Sequence, residues 1–440
     1  MFHSVVCVDS KYGISKEGSI PWHYKEDIQF FKQLTLNNPV IMGRKTYESI
    51  GKALTDRINI IITSDDPSNY PECVVFSDLW KCVEYCSVNF RNKNVFVIGG
   101  AAIYEWFIKN NLINSEYITI LNKNYNCDNF YIDTKQPKTL IYTCENYNRF
   151  LIKHFNSEEY NFLSLAKNIL NGNYKTDRTG IGTVSLFGSQ LTFNLSNNSF
   201  PLLTTRKMFI RGIFEELMLY IRGQTNSKIL ENKGITVWKQ NTSREFLNNR
   251  GLTLPEGDMG PSYGFLFRHF GAEYTTCNAD YTNKGFDQLY YVIDKLKNNP
   301  SDRRIIISLW DPVNIDKCPL PPCLYNYQFY VYDKKLYCMM TQRSSDYAVA
   351  GGWNIATGAL LTYLLASICD LTPYKLIWNI GDIHIYNNLI EQVKEQLNRT
   401  PYLFPKLFIN KKNKIEDYEF SDIKLLCYNY HNSIQMTMNV

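Results

Sequence analysis

Short apolar strands alternate with helical segments between Phe2 and Ile108, and this alternation narrows the possible folds more than any other feature of the chain. Residues 2–8 form a β-rich run, 25–34 have helical spacing, and 40–42 and 58–63 are short apolar strands. Residues 95–98 form a strand that passes through Gly99-Gly100 into a helical stretch over 101–108. Strands joined through helices lie parallel, so the segment reads as an α/β domain with a largely parallel central sheet flanked by helices. Residues 140–143 and 150–155 read as a closing hairpin with its turn over 145–148, and a helix capped by Ser157 follows, with Glu158 and Glu159 in its first turn. At 440 residues the chain is long for one ordinary domain. With no Pro/Gly/Ser-rich linker in view, the expected division is 1–156 and 157–440, joined tightly.

Hydrophobic residues at 45% and aromatic residues at 15% supply cores and exclude global disorder. The N-terminus has no basic segment leading into a long apolar one, and the apolar stretch 358–368 is too short to span a bilayer. Twelve scattered cysteines without a Cys-x-x-Cys, and only six histidines, point to a reducing cytoplasm and away from a metal site. A net charge of +5 without a basic, aromatic-interleaved stripe makes nucleic acid an unexpected partner.

Two groups of residues carry chemistry. In the first, Asp27 and Phe31 stand four apart on one helical face, where a carboxylate and a ring suit a flat, nitrogen-rich heterocycle. Gly43-Arg44-Lys45-Thr46 and Thr63-Ser64 each follow a strand, at the positions where α/β folds bind phosphates. Gly99-Gly100 lets backbone amides approach a pyrophosphate at a helix N-terminus, although the Gly-x-Gly-x-x-Gly fingerprint is absent.

In the second group, Arg178 sits in a Gly-rich turn, Arg303-Arg304 precede the strand 305–308, and Arg343 is read as following another strand. Four arginines brought together repel one another unless a dianion lies between them, so a phosphate-sized ligand is expected. Cys323 follows Pro321-Pro322, which restrict its backbone, and an arginine such as Arg343 nearby favours the nucleophilic thiolate. Glu216 falls in a helix apolar on most faces (209–220), where it either bonds internally or transfers protons; the alternative is that Glu215 and Glu216 mark a solvent stripe. His384 and Tyr386 point to one face of a strand-like run, and both can bond a sugar hydroxyl.

The segments 18–22, 27–31, 40–50, 57–60 and 97–100 with Tyr104 resemble dihydrofolate reductase over nearly all of residues 2–155. The segments 177–183, 201–205, 257–264, 303–308, 321–323, 342–344, 354–356 and 381–386 resemble thymidylate synthase from about residue 158 to Val440. In that order the two halves are similar to the bifunctional family that joins these enzymes, which implies an α+β second domain behind the α/β first one.

The resemblance implies NADPH-dependent reduction of dihydrofolate, with Asp27 bonding the pterin and assisting proton delivery, and Thr119 supporting Asp27. Phe31 and Ile50 would line the folate pocket, and Arg57 would clamp the glutamate tail. Gly43, Arg44, Lys45, Thr46, Thr63, Ser64, Gly99 and Gly100 would hold NADPH. The same resemblance implies methylation of dUMP with 5,10-methylenetetrahydrofolate, in which Cys323 adds to the pyrimidine, Glu216 organises proton transfers and Tyr263 assists at C5. Arg178, Arg343 and Ser344 would hold the phosphate, joined by Arg303 and Arg304 from the second subunit of a homodimer. His384 and Tyr386 would bind the ribose, and Trp238, Asn241 and Asp346 the folate. Asn354 can both accept from N3–H and donate to O4, which suits uracil. The tail 434–440 could close over the ligands.

Three departures from the family pattern stand out. Asp128-Asn129-Phe130-Tyr131-Ile132 replaces an acidic-Thr-x-Phe-Pro run, Leu324 replaces the histidine after the nucleophile, and Ala350-Gly351-Gly352-Trp353-Asn354 replaces Gly-x-Pro-Phe-Asn. The alternative to two working sites is therefore an active reductase fused to a weak or inactive synthase-like module that binds dUMP and dimerises.

Overall fold

The structure, a computed structural model, describes every residue except Asn92, Arg178, Asn439 and Val440. It consists of two compact units, Met1–Asn156 with Leu426–Asn429, and Ser157–Leu425 with Tyr430–Val440.

The first unit is built from strands β1 (Phe2–Val8), β2 (Gly13–Ser15), β3 (Pro39–Gly43), β4 (Ile58–Ile62), β5 (Val74–Phe76), β6 (Val95–Gly99), β7 (Ile113–Leu121), β8 (Asn129–Phe130), β9 (Thr139–Thr143) and β10 (Tyr147–Lys153). Helices α1 (Lys25–Thr35), α2 (Arg44–Ile50), α3 (Leu79–Asn89) and α4 (Ala101–Lys109) alternate with them. Eight strands form one sheet in the order β5-β4-β3-β6-β1-β7-β10-β9, while β2 pairs with β8. The pairs from β5 to β7 are parallel, and β10 and then β9 add antiparallel, so the sheet is mixed. Val5, Val40, Met42, Ile61, Phe96 and Ile98 form a core with Phe30, Phe31 and Leu34 of α1 packed against it. That packing fixes which face of α1 turns to the sheet and hence where Asp27 points.

The closing hairpin differs from expectation. Tyr147 and Asn148, read as turn residues, belong to β10, and Phe155 lies beyond its end. Strand β10 buries Tyr147, Arg149 and Ile152. A buried arginine at an inward position hides the apolar alternation by which such a strand is recognised.

The second unit opens with α5 (Ser157–Leu170), in which Ser157 is the first helical residue rather than the cap. Strands β11 (Asn173–Lys175), β12 (Thr183–Asn194), β13 (Ile306–Ser308), β14 (Leu324–Tyr332), β15 (Lys335–Asp346) and β16 (Thr372–Tyr386) form a sheet ordered β11-β12-β16-β15-β14-β13. Between β12 and β13 come α6 (Ile210–Ile221), α7 (Lys228–Glu231), α8 (Arg244–Asn249), α9 (Tyr263–Arg268) and α10 (Gln288–Asn298). Helix α11 (Gly351–Ile368) is buried along most of its length against β15 and β16, its glycine at 358 facing the Met340 sulfur. Among the described residues no helix is long and apolar enough to cross a membrane.

Helix α9 approaches the end of α6 so closely that a Cβ on Gly264 would stand 2.2 Å from the carbonyl oxygen of Gln224. A backbone oxygen cannot swing aside as a side chain can, so Gly264 fixes the seat of α9 and of its first residue, Tyr263. Gly264→Ala is expected to destabilise this unit by about 1–3 kcal/mol and to lower turnover at the site that contains Tyr263, with first-unit turnover unchanged. Thermal unfolding together with separate assays of the two activities checks both.

Candidate active sites

In the first unit, α1 and the neighbouring strands β7 and β10 converge on Asp27. Thr119 of β7 donates from Oγ1 to Asp27 Oδ1 at 2.6 Å, and Arg149 of β10 donates from Nη2 to the same oxygen at 3.0 Å. Thr119 and Arg149 face each other in the β7–β10 ladder, and the Arg149 Nε donates to Thr119 Oγ1 at 3.0 Å. Burial, and after it the Asp27 charge, push the thiol of Cys7 on β1 up. Phe31 is partly buried against the core, and Ile50 is 37% exposed at the end of α2. Arg57 is held by backbone and hydroxyl acceptors, with Nη1 at 2.5 Å from the Thr55 carbonyl and Nη2 at 3.2 Å from that of Lys32.

The residues assigned to NADPH gather where β3, β4 and β6 end. Gly43 caps α2 and Gly100 caps α4, in both cases with extended backbone and no side-chain cap, so the first amides of each helix point outward. Gly99 has φ +122°, a conformation that favours glycine, and a Cβ there would meet the Tyr104 ring at 3.2 Å with the Thr46 hydroxyl at 3.5 Å. Lys45 and Ser64 are exposed, and the Thr63 hydroxyl accepts from the Asp65 amide at 3.1 Å. Arg44 is paired with Glu48 at 2.6 Å and lies 3.5 Å from Asp65. These outward amides, glycines and cationic side chains are the donor set that a dinucleotide phosphate requires, so the residues fit the cofactor.

In the second unit three strands bring distant motifs into one region. The ladders pair Leu324 with Gln342, Ser344 with Asp382, and Asp346 with His384. Cys323 immediately precedes β14, and the Arg343 amide donates to its carbonyl at 2.9 Å. Arg343 lies inside β15 rather than after it, because its amide still bonds the Cys323 carbonyl and pairing with β16 keeps the strand extended through Asp346. Its guanidinium donates to the Pro322 and Pro321 carbonyls at 2.9 and 3.1 Å, and its Nη2 stands 3.7 Å from Cys323 Sγ. A cation so anchored favours a negative charge on the sulfur. On the other side, the Cys323 amide donates to the Tyr263 hydroxyl at 2.9 Å. Burial and the Cys323 charge push the Tyr263 phenol up, which keeps it protonated.

Glu216 is buried, and so is Glu215, which pairs with Lys233 at 2.6 Å; the solvent-stripe alternative is thereby removed. The indole of Trp238, between α7 and α8, donates to Glu216 Oε1 at 2.8 Å, and that of Trp353 on α11 donates to Oε2 at 2.6 Å. Burial pushes the Glu216 carboxyl up, while the bonds from Trp353, Trp238 and Tyr220 oppose that rise. Tyr220 and Tyr263 stack with centroids 4.9 Å apart and so link this carboxylate to the cysteine.

Asn354 is oriented by its neighbours. Trp378 Nε1 donates to Gln342 Oε1 at 3.0 Å, and an indole N–H has no acceptor role, so that atom is oxygen. Asn354 must therefore present its Nδ2 to Gln342, at 3.3 Å. His384 Nδ1 lies 2.9 Å from Asp382 Oδ1, and a carboxylate only accepts, so Nδ1 carries a proton; the Tyr386 ring packs edge-on against it at 5.3 Å. Asp346 is pushed up by burial, opposed by the Val349 amide at 3.2 Å. Asn241 is buried close after Trp238. Arg303 and Arg304 are exposed before β13, with Arg304 bonded to Asp302 at 2.9 Å. Arg178 and the end of the 434–440 tail lie outside the described residues. Within that tail, Met436 receives a bond from buried Arg206 at 2.9 Å. Among the described residues no cluster of three or more His, Cys, Asp and Glu side chains is arranged to hold a metal.

Sequence reasoning missed Arg149, Trp353 as a donor to Glu216, and Arg206. A charged residue inside an otherwise apolar alternating strand was the available signal for Arg149. No sequence spacing could have shown Trp353 reaching a helix 137 positions away.

Residues 1–165 match the dihydrofolate reductase family and residues 160–440 the thymidylate synthase family. A bifunctional dihydrofolate reductase-thymidylate synthase of Zea mays is 40% identical, with 100% of this chain aligned to 97% of that protein. The corresponding protein of Paramecium tetraurelia is 39% identical over 100% of this chain and 99% of its own length, and that of Plasmodium chabaudi 37% identical over 92% and 83%. The two halves are thus enzymes of different classes, an oxidoreductase followed by a methyltransferase. Taken whole, the chain belongs to the bifunctional dihydrofolate reductase-thymidylate synthase family.

Removing the Trp353 donor should let burial act on Glu216 with less opposition. Trp353→Phe is expected to move upward, to higher pH, any limb of the pH–rate profile of the second unit that reports Glu216, because one of the bonds opposing burial is lost. The profile of kcat/KM against pH, measured for both forms, checks it.

Proposed function

We propose that both sites are catalytic: the first reduces dihydrofolate to tetrahydrofolate with NADPH, and the second methylates dUMP to dTMP with 5,10-methylenetetrahydrofolate. The observation that carries the synthase reading is the approach of Arg343 Nη2 to Cys323 Sγ at 3.7 Å, with Tyr263 bonded to the same residue's amide.

In the first site the nicotinamide cofactor supplies hydride when bound, and the chain supplies orientation. Asp27, steadied by Thr119, bonds the amino-pyrimidine edge of the pterin and assists proton delivery. Phe31 and Ile50 flank the folate, and Arg57 meets its glutamate carboxylate. Arg44, Lys45 and Ser64 take the adenosine phosphate and Gly99 and Gly100 the diphosphate, while Gly43, Thr46 and Thr63 complete the NADPH site.

In the second site the Cys323 thiolate adds to C6 of the uracil, which makes C5 nucleophilic towards the one-carbon unit. Glu216 moves protons at the far edge of the ring, and Tyr263 assists proton removal at C5. Arg178, Arg343 and Ser344 hold the phosphate together with Arg303 and Arg304 of a second copy, so a homodimer completes the site. Asn354 selects uracil, His384 and Tyr386 bond the ribose, and Trp238, Asn241 and Asp346 contact the folate. Twelve cysteines present as thiols fit a reducing cytoplasm.

One specific observation favours a second reading, a synthase site that binds without turning over: buried Leu324 stands beside the nucleophile where the family has histidine. Mixing the protein with dUMP and methylenetetrahydrofolate separates the two. A rise in dihydrofolate absorbance, lost in Cys323→Ser, is expected; dUMP binding by calorimetry without any rise would leave the second reading standing. For the reductase, Asp27→Asn is expected to lower kcat/KM by about a hundredfold or more while synthase turnover persists, as measured by NADPH oxidation with added dihydrofolate.

A further inference from the structure

Arg149 is buried deeply for a cation, with its side chain 7% exposed, and Asp27 beside it is 17% exposed. Its guanidinium carbon lies 3.7 Å from the centroid of the Phe30 ring, with Tyr147 and Tyr142 at 5.4 and 5.5 Å. Such a cation is held only where a carboxylate and aromatic faces replace its lost hydration. Its Nε commits the Thr119 oxygen as an acceptor, which directs the Thr119 proton to Asp27. Cys7 on β1 is kept a neutral thiol by burial, and burial also raises the Tyr147 phenol. The base of this pocket therefore carries one positive and one negative side chain in contact, where a reductase with Asp27 alone would present a bare anion.

On the reading that Asp27 meets the pterin edge, this pairing decides which ring edge the pocket accepts. A 2-amino-4-oxo ring offers neutral N–H donors, whereas a 2,4-diamino ring is more basic and gains most from an isolated carboxylate by arriving protonated. With Arg149 already on Asp27, the second cation finds a neutralised partner and a like charge. We propose that Arg149 is the specificity-determining residue of the reductase pocket, which it makes selective for an uncharged pterin edge over a protonated diamino edge.

The test compares folate with its 4-amino-4-deoxy counterpart, which differ by one ring substituent, on the full chain with NADPH present. The quantity read is the ratio of their dissociation constants in the natural protein, Arg149→Met and Arg149→Lys. Arg149→Met is expected to shift the ratio towards the 4-amino ligand by about tenfold or more, the scale of a close charge pair. Arg149→Lys, which keeps the charge but loses the Thr119 bond, is expected to weaken both ligands while holding the ratio near its natural value. A merely structural role would weaken both ligands together in both variants, and an unchanged ratio in Arg149→Met would overturn the proposal. Should that variant fail to fold, proton uptake in the natural protein decides, measured by calorimetry in two buffers of different ionisation enthalpy. At a pH where the 4-amino ligand is uncharged in solution, uptake well below one proton is expected, and uptake of a full proton would overturn the proposal. Failure of the underlying reading looks different: no NADPH oxidation with dihydrofolate, whatever the ratio.

Discussion

Strand β15 pairs antiparallel with β14 on one side and parallel with β16 on the other, and the register of those two ladders determines whether the synthase site exists. The alignment sets Gln342 beside Leu324, Ser344 beside Asp382 and Asp346 beside His384, so segments far apart in sequence bring the proposed nucleophile, anion ligands and sugar ligands to one region. A slip of one residue in β15 would turn Arg343 away from Cys323 and bring Ser344 round in its place. The bonds from Arg343 to the Pro321 and Pro322 carbonyls lock that register with side-chain donors as well as with the ladder. Helix α11, buried against β15 and β16, then delivers Trp353 and Asn354 to the same place.

The two sites bury their central carboxylates by different means. Asp27 meets a cation, Arg149, and Glu216 meets the neutral donors Trp238, Trp353 and Tyr220. A full charge fixes the ionic character of a pocket, while dipolar donors only soften the cost of burial, so Glu216 is pushed towards its protonated form. That contrast suits the proposed chemistries. A group that recognises a ring edge benefits from a settled charge, and one that shuttles protons benefits from two accessible states.

Much of this was legible in the chain. Strand–helix alternation over the first hundred residues gave the α/β sheet, and the segments around Cys323, Asn354 and His384 gave the synthase-like half. What escaped were contacts made by folding alone. Arg149 interrupts the apolar alternation of β10 and so displaced the expected start of that strand to Phe150. Arg343 is expected just after a strand, because hydropathy does not report that pairing with β16 carries β15 on through Asp346. Trp353 stands out in the chain only as a departure from the family pattern, and its bond to Glu216 depends on how α11 crosses α6.

Two functioning sites on one chain make a claim that a single mixture can examine. The protein is supplied with dUMP, methylenetetrahydrofolate and NADPH, with no dihydrofolate added, and dTMP and NADP are counted together. The account predicts that dUMP starts NADPH oxidation, that the two products accumulate one for one once steady, and that Cys323→Ser stops both while still reducing added dihydrofolate. NADPH left unoxidised in the presence of dUMP, by a protein that reduces added dihydrofolate, would contradict it.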